Sequence, residues 1–267
     1  MKREIEDFFF ENKIEYFAAL DYRDAVEIAP EIMQRESFEP RSVILFLIPY
    51  YAGRTGNLSV YAASLDYHIF IREISERLIL LMKKLYPDNN FKAYGDHSPI
   101  YEVGAAITAG LGIRGDSGLF INERYGSYVF VADLVYDILP SELGSVKYEA
   151  RECVHCGKCR SACPTGILRG EGEDCLSAIT QRKGELSEKE AQLMKKCDTV
   201  WGCDLCQSVC PYNESPEITP IEFFHRDRID NLTTEALAAL SKEDFKRRAF
   251  GWRGRATVER NLKLLGY

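Results

Sequence analysis

The sequence predicts a chain of mixed α and β structure: an α/β N-terminal portion, a cysteine-dense middle and a helical C-terminal segment. Three observations predict it. Apolar runs of strand length alternate with amphipathic helical patterns over the first half of the chain. All nine cysteines fall between Cys153 and Cys210. Beyond Pro220 the apolar residues recur at helical spacing up to the C-terminal end. A hydrophobic share of 46% over 267 residues is enough to build a buried core.

The elements follow in order. Arg41 to Pro49 (RSVILFLIP) is a continuous, β-branched apolar run and reads as a strand buried on both faces. Asp66 to Leu85 predicts a long amphipathic helix, with Phe70, Ile74, Leu78, Leu81 and Leu85 inward, Arg72, Glu73, Glu76, Arg77, Lys83 and Lys84 outward, and Pro87 as its stop. Phe91 to Tyr94 predicts a short strand, Glu102 to Ala109 a helix, and Tyr128 to Tyr136 (YVFVADLVY) a further strand. Between the last two, Gly110-Leu111-Gly112-Ile113-Arg114-Gly115 is a glycine-rich turn. Its order of helix, loop and strand is the reverse of a dinucleotide-binding loop, so that reading is rejected. Helices are expected over Leu176 to Lys183 and Ser187 to Lys196, the second opened by a Ser187/Glu190 capping box, and Thr233 and Ser241 are expected N-caps.

The cysteines carry the chemistry. Cys153, Cys156, Cys159, Cys163 and Pro164 spell C-x2-C-x2-C-x3-C-P, and Cys203, Cys206, Cys210 and Pro211 spell C-x2-C-x3-C-P. That rhythm wraps iron-sulfur cubanes, and in two-cluster proteins the last cysteine of each run serves the other cluster. Structural zinc sites use isolated C-x2-C pairs a loop apart, which this spacing does not match. A disulfide framework is disfavoured by the clustering and by an N-terminus, Met1 to Lys13, that lacks an export signal. The expected location is therefore the cytoplasm, with no membrane span, since the longest apolar run, Val43 to Ala52, is too short to cross a bilayer.

Net charge is −7, from 34 Lys and Arg against 41 Asp and Glu, which excludes a general phosphate-binding surface. Lys242 to Lys263 runs against this trend, with eight basic and three acidic residues. A solvated helix face is the plain reading of such a patch.

The segments flanking the cysteines extend the reading. Gly202-Cys203-Asp204-Leu205-Cys206-Gln207-Ser208-Val209-Cys210-Pro211-Tyr212-Asn213, and Cys163-Pro164-Thr165-Gly166 followed by Asp174-Cys175-Leu176-Ser177, resemble the epoxyqueuosine reductases. Pro40-Arg41-Ser42-Val43, Pro49-Tyr50, Asp66-Tyr67-His68, Asp96-His97-Ser98-Pro99 and Ala109-Gly110-Leu111-Gly112 occur in that family's order, and the similarity continues through Phe245 to Leu262. The resemblance implies an N-terminal cobalamin-type α/β domain over residues 1–145, a bacterial-ferredoxin-like double [4Fe-4S] domain over 146–216 and a helical segment over 217–267. It implies a cobalamin-dependent reductase that removes an epoxide oxygen in the last step of queuosine synthesis, on tRNA or on a related small substrate. An electron donor such as flavodoxin or ferredoxin is implied as partner.

Residue by residue, the resemblance assigns Cys153, Cys156, Cys159 and Cys210 to the first cluster and Cys163, Cys175, Cys203 and Cys206 to the second. Cys197 is left over and reads as a small buried hydrophobe. The family's acid falls on Asp96, whose carboxyl, partly desolvated near a corrin, would serve as proton donor; a plain turn residue is the alternative. Ser177 and Asp204, each near a cluster cysteine, are candidate cofactor contacts, whereas His68, His97 and His155 read as ordinary histidines. The chain departs from the family at Ile113 and Asp116, where the glycine-rich loop usually carries Trp and Lys, and at Val60 to Leu65, which lacks the usual arginines. It also stops at Tyr267, before the HEAT-like repeats of full-length members. The alternative to an enzyme is a non-catalytic double-cluster carrier that serves a partner reductase.

Overall fold

Residues 1–140 and 152–267 are described by a computed structural model. They group into two units: Met1–Pro49 with Phe70–Cys153, and Tyr50–Ile69 with Val154–Tyr267.

The first unit is built on a four-stranded antiparallel sheet. In chain order the strands are β1 (Phe17–Asp21), β2 (Ser42–Pro49), β3 (Phe91–Tyr94), β4 (Ile113–Arg114), β5 (Phe120–Ile121) and β6 (Val129–Tyr136). The sheet runs β1-β2-β6-β3, while β4 and β5 form a separate ribbon. All eight residues of β2 are buried, because it lies between β1 and β6 and both of its faces are covered. On one face Val43, Leu45 and Leu47 share a core with Ala105, Ala106, Leu111 and Tyr125. On the other, Phe46 meets Phe9 of helix α1 (Arg3–Glu11), whose ring stacks on Phe17 at 4.4 Å. This alternation is the period-2 geometry of a strand.

Helix α2 (Pro30–Met33) is one short turn, and helix α3 (Tyr67–Leu85) ends before Pro87 as expected. Its buried stripe is Ile71, Ile74, Ser75, Leu78 and Met82. The sequence reading of Phe70, Leu81 and Leu85 as inward is corrected: these three are only half-buried, and the inward row lies one position C-terminal to Phe70 and to Leu81. Hydropathy alone could not separate the two rows, because both are apolar. Helix α4 (Glu102–Thr108) follows β3.

The second unit contains the cysteine runs. Its helices are α5 (Lys158–Ala162), α6 (Leu176–Gln181), α7 (Glu188–Cys197), α8 (Leu205–Ser208), α9 (Thr234–Ala239), α10 (Lys242–Lys246) and α11 (Arg255–Leu265). Ser187 and Glu190 form the expected capping box, and Thr233 and Ser241 cap α9 and α10. The residues following 217 do not pack by themselves. Trp201, fully buried, shares one core with Leu58, Ala62, Leu232, Leu237, Phe245, Phe250, Val258 and Leu262. Helices as short as α9 and α10 bury too little surface to stand alone, so they join the cluster region and the strap at 50–69.

That strap is held by buried polar contacts. Asn57 donates to the Leu232 carbonyl and accepts the Leu232 amide, both at 2.8 Å. The Ser59 amide donates to the Trp201 carbonyl at 2.8 Å, and the Trp201 indole donates to the Tyr61 hydroxyl at 3.0 Å. Among the described residues, no helix is long and apolar enough to cross a membrane.

Candidate functional site

The second unit gathers thiols. Left-handed backbone at His155 (φ 49°) and Gly157 (φ 72°) turns the first run just before α5, and α5 packs against α8, the short helix that carries Cys206. Cys163, at the end of α5, is buried. Cys175 and Cys163 both act on Cys206, and Cys175 and Cys206 act on Cys203, so Cys206 is the thiol that the other three share as a neighbour, Cys163 being linked through it alone. They are the four assigned to the second cluster by resemblance. A set of soft sulfur donors in a half-buried setting fits a cubane. In the other set Cys156 is exposed, while Cys153, Cys159 and Cys210 are half-buried.

The thiols are not equivalent. Burial pushes Cys203 and Cys206 up to about 12, with the neighbouring thiols and Asp204 adding to the effect. Burial also acts on Cys163, but it is outweighed by the Thr165 hydroxyl, 3.5 Å from the sulfur, and by the amides of Leu168, Thr165 and Gly166, which together lower its pKa. Such donors favour thiolate, the form that binds iron, and hydrogen bonds to sulfur tune cluster potential. Cys197 packs beside Leu176, Ile179 and Met194, and burial raises its thiol.

Asp204 sits between two of these cysteines. Its carboxylate accepts from the Ser59 hydroxyl and the Val60 amide, each at 2.6 Å, and from the Gln207 amide at 2.8 Å. Burial nevertheless raises its pKa, exceeding the effect of those donors. The next residue toward the N-terminus, Cys203, follows Gly202, whose φ of 76° and tight approach to Ser59, 2.4 Å from a built Cβ to the Ser59 Cβ, suit glycine alone. Ser177 is half-buried and its hydroxyl accepts from Gln181 at 3.1 Å. His68 is tied to Asp66 at 2.7 Å.

The first unit holds a group of acids. Asp96 lies on the turn after β3 with φ 66°, and it is exposed. The amide of Asp96 donates to Oε1 of Glu102, the first residue of α4, at 3.2 Å. Asp133 stands in β6 opposite Tyr94 and is completely buried. Neither of its oxygens meets a donor in hydrogen-bond geometry, and the nearby Ser98 hydroxyl only eases its charge.

Desolvation raises both Asp133 and Glu102 far above the ordinary carboxylate range, and for Glu102 the charges of Asp133 and Asp96 add to it. Sequence reading missed these two. The available signal was one aspartate inside an otherwise apolar strand, YVFVADLVY.

The basic C-terminal segment is partly structural. Arg248 is buried and donates to the carbonyls of Ala63 and Asp227, Arg255 to those of Leu237 and Leu240, and Arg260 to those of Arg182 and Gly184. Lys242, Lys246, Arg247 and Lys263 remain exposed.

Residues 152–213 match the model of a 4Fe-4S double cluster binding domain. The epoxyqueuosine reductase of Listeria monocytogenes is 31% identical over 259 residues, covering 89% of this chain and 66% of the relative. That of Lactococcus garvieae is 32% identical over 223 residues, covering 78% and 61%. The chain thus spans somewhat less than two thirds of the length of these relatives. The solved epoxyqueuosine reductase of Streptococcus thermophilus superposes with a TM-score of 0.77 at 22% identity, over 99% of this chain and 80% of that one. An epoxyqueuosine reductase bound to a tRNA-Tyr stem loop gives 0.80 at 23%, over the same shares. The cysteine region is a double [4Fe-4S] cluster domain, the fold is shared with solved members, and the chain belongs to the epoxyqueuosine reductase family.

Proposed function

We propose that this chain is an iron-sulfur reductase that removes the epoxide oxygen from a queuosine precursor in tRNA, using two [4Fe-4S] clusters and cobalamin. The observation that carries the reading is the gathering of Cys163, Cys175, Cys203 and Cys206 from three separate stretches of sequence. Neighbouring thiols drawn from separate stretches support their reading as one donor set. Cys153, Cys156, Cys159 and Cys210 would hold the other cluster. When bound, the clusters supply single electrons and cobalamin supplies a low-potential nucleophile, neither of which a side chain can provide.

Loss of the epoxide oxygen as water consumes two electrons and two protons and leaves a carbon–carbon double bond. Asp96 is the residue assigned to proton donation. It is exposed on its turn, as a donor to a bound group must be, and its amide is tied to Glu102. Of the two other candidates for cofactor contact, Ser177 retains a half-buried hydroxyl. The Asp204 carboxylate is held by Ser59, Val60 and Gln207, so its part is to fix the loop between Cys203 and Cys206. A flavodoxin or ferredoxin would deliver the electrons. Lys242, Lys246, Arg247 and Lys263 are the exposed cations of the C-terminal segment available to tRNA phosphates.

The test is anaerobic. Purified protein is expected to contain two cubanes' worth of iron, to bind hydroxocobalamin and to convert epoxyqueuosine in tRNA, with the free nucleoside run in parallel. Asp96→Asn is expected to lower kcat by about 10²- to 10⁴-fold, the usual worth of a general acid, with the iron content unchanged. Protein that is loaded with iron but takes up no cobalamin and turns over neither substrate would instead be an electron carrier.

A further inference from the structure

Thr180 and Asn261 are polar residues of the second unit with no exposed surface, and the reaction described above uses neither. We infer that both are positioning residues for the second cluster: they fix the segment that begins at Cys175 against the segment that leads into Cys203. The inference rests on the reading of these two cysteines as ligands of one cluster and deepens it.

Cys175 is the N-cap of α6, so this short helix carries its position through to Thr180 in the last turn. There the Thr180 hydroxyl accepts the Gly202 amide at 2.9 Å and donates to the Ser177 carbonyl at 2.8 Å. The Gly202 carbonyl accepts the Thr199 hydroxyl at 2.8 Å. The peptides on both sides of Gly202 are thereby held, and its φ of 76° sets the direction in which the chain enters Cys203. Cys203 in turn packs against the small core formed by Leu176 and Ile179 of α6 with Met194.

Helix α11 joins the two segments from outside both. Asn261 donates from Nδ2 to the Thr180 carbonyl at 2.7 Å and to the Val200 carbonyl at 2.8 Å. Its Oδ1 accepts from Nε and Nη2 of Arg260, at 3.0 and 2.8 Å. Both hydrogens of the amide and its oxygen are used, and because arginine only donates, the orientation of the amide is fixed. Nη1 of Arg260 reaches the Arg182 carbonyl at 2.6 Å and the Gly184 carbonyl, just past the end of α6. Val200 is held on its other side as well, its amide donating to the Asn57 carbonyl at 2.7 Å. A buried amide satisfied in this way dictates one spacing between its partners, since a shift of either leaves a buried polar group without a bond. The two carbonyls that Asn261 joins belong to α6 and to the stretch before Cys203, so the spacing it dictates is that of two ligand segments.

The experiment follows iron release from the anaerobically loaded protein to a ferrous-iron chelator, with the EPR spectrum of the reduced clusters and the Tm recorded alongside. Thr180→Val keeps the shape of the side chain and removes the hydroxyl that accepts the Gly202 amide. About half of its iron is expected to leave about tenfold faster than in the parent, with release of the rest unchanged and the EPR signal of one cluster altered. Thr180→Ser returns the hydroxyl and is expected to restore the parent's release curve and spectrum. Asn261→Asp keeps the oxygen that Arg260 needs but loses both donors; it is expected to show the same split, and where it does not fold the Thr180 variants decide. A Thr180→Val curve that matches the parent's throughout, or that is accelerated throughout in step with a lower Tm, overturns the positioning role. Cys175→Ser separates this from the ligand reading. Full retention of iron in that variant overturns the ligand reading and the positioning role with it, whereas loss of half its iron beside an unsplit Thr180→Val curve overturns the positioning role alone.

Discussion

Asp133 is fully buried in the sheet, with the Ser98 hydroxyl easing its charge only in part, and that setting has a measurable consequence for stability. Burial makes the folded carboxyl hold its proton more tightly than the unfolded chain does. Above the ordinary carboxylate range the native state therefore binds more protons than the unfolded state, and stability falls as pH rises from there through neutrality. Asp133→Asn removes that dependence. Its Tm is expected to gain on the parent's as pH is raised from about 5 to about 8, since a neutral amide no longer has to be held against ionisation. An equal offset at both ends of that range would show that Asp133 does not titrate differently in the folded state. The same residue marks how far sequence can be read at this scale. Asp96 stood out through its resemblance to a known segment, whereas Asp133 and Glu102 stood in positions whose only visible role was to fill a strand and begin a helix. What sets them apart is the company they keep across β3, β6 and α4, and that is a tertiary property.

At the scale of elements, the strap at 50–69 depends on Asp204. One carboxylate satisfies the Ser59 hydroxyl, the Val60 amide and the Gln207 side chain. Asp204→Ala leaves all three donors short of a partner, at about 1–3 kcal/mol for each that stays buried. The expected result is early hydrogen exchange at the amides of Ser59 to Ala62, ahead of global unfolding. Protection equal to the parent's would show that the Asn57 and Trp201 contacts suffice. The strands and helices themselves were legible wherever the pattern was strong: β2 as an unbroken apolar run, α3 by its periodicity and its proline stop, α7 by its capping box. On α3 the sequence placed Ile74 and Leu78 inward correctly but took Phe70 and Leu81 where Ile71 and Met82 are buried, because two apolar rows run side by side and hydropathy does not choose between them. The strap had no pattern of its own, being held by polar side chains and backbone instead of a hydrophobic stripe.

For the whole molecule, cluster content is the decisive quantity. Cys175 stands outside both cysteine runs, and Cys175→Ser is expected to leave about half of the iron and the spectral signature of a single cubane. Full retention of iron would remove Cys175 from the ligand set. Cysteine spacing was enough to announce two clusters, because ligand rhythm along a short stretch is a local, one-dimensional property. It could not by itself recruit Cys175, nor show Arg248, Arg255 and Arg260 turned to backbone carbonyls instead of a basic surface.

The sequence alone determined the alternation of strand and helix, the cluster chemistry and the family to which the chain belongs, since each of these is written in nearest-neighbour pattern and motif order. The tertiary structure alone decided that residues 50–69 join the cluster unit, that the C-terminal helices share its core, that the Glu102 carboxyl accepts the Asp96 amide and that Asp133 is sealed in the sheet. Burial and long-range electrostatics depend on distance in space, which the order of residues along the chain does not specify.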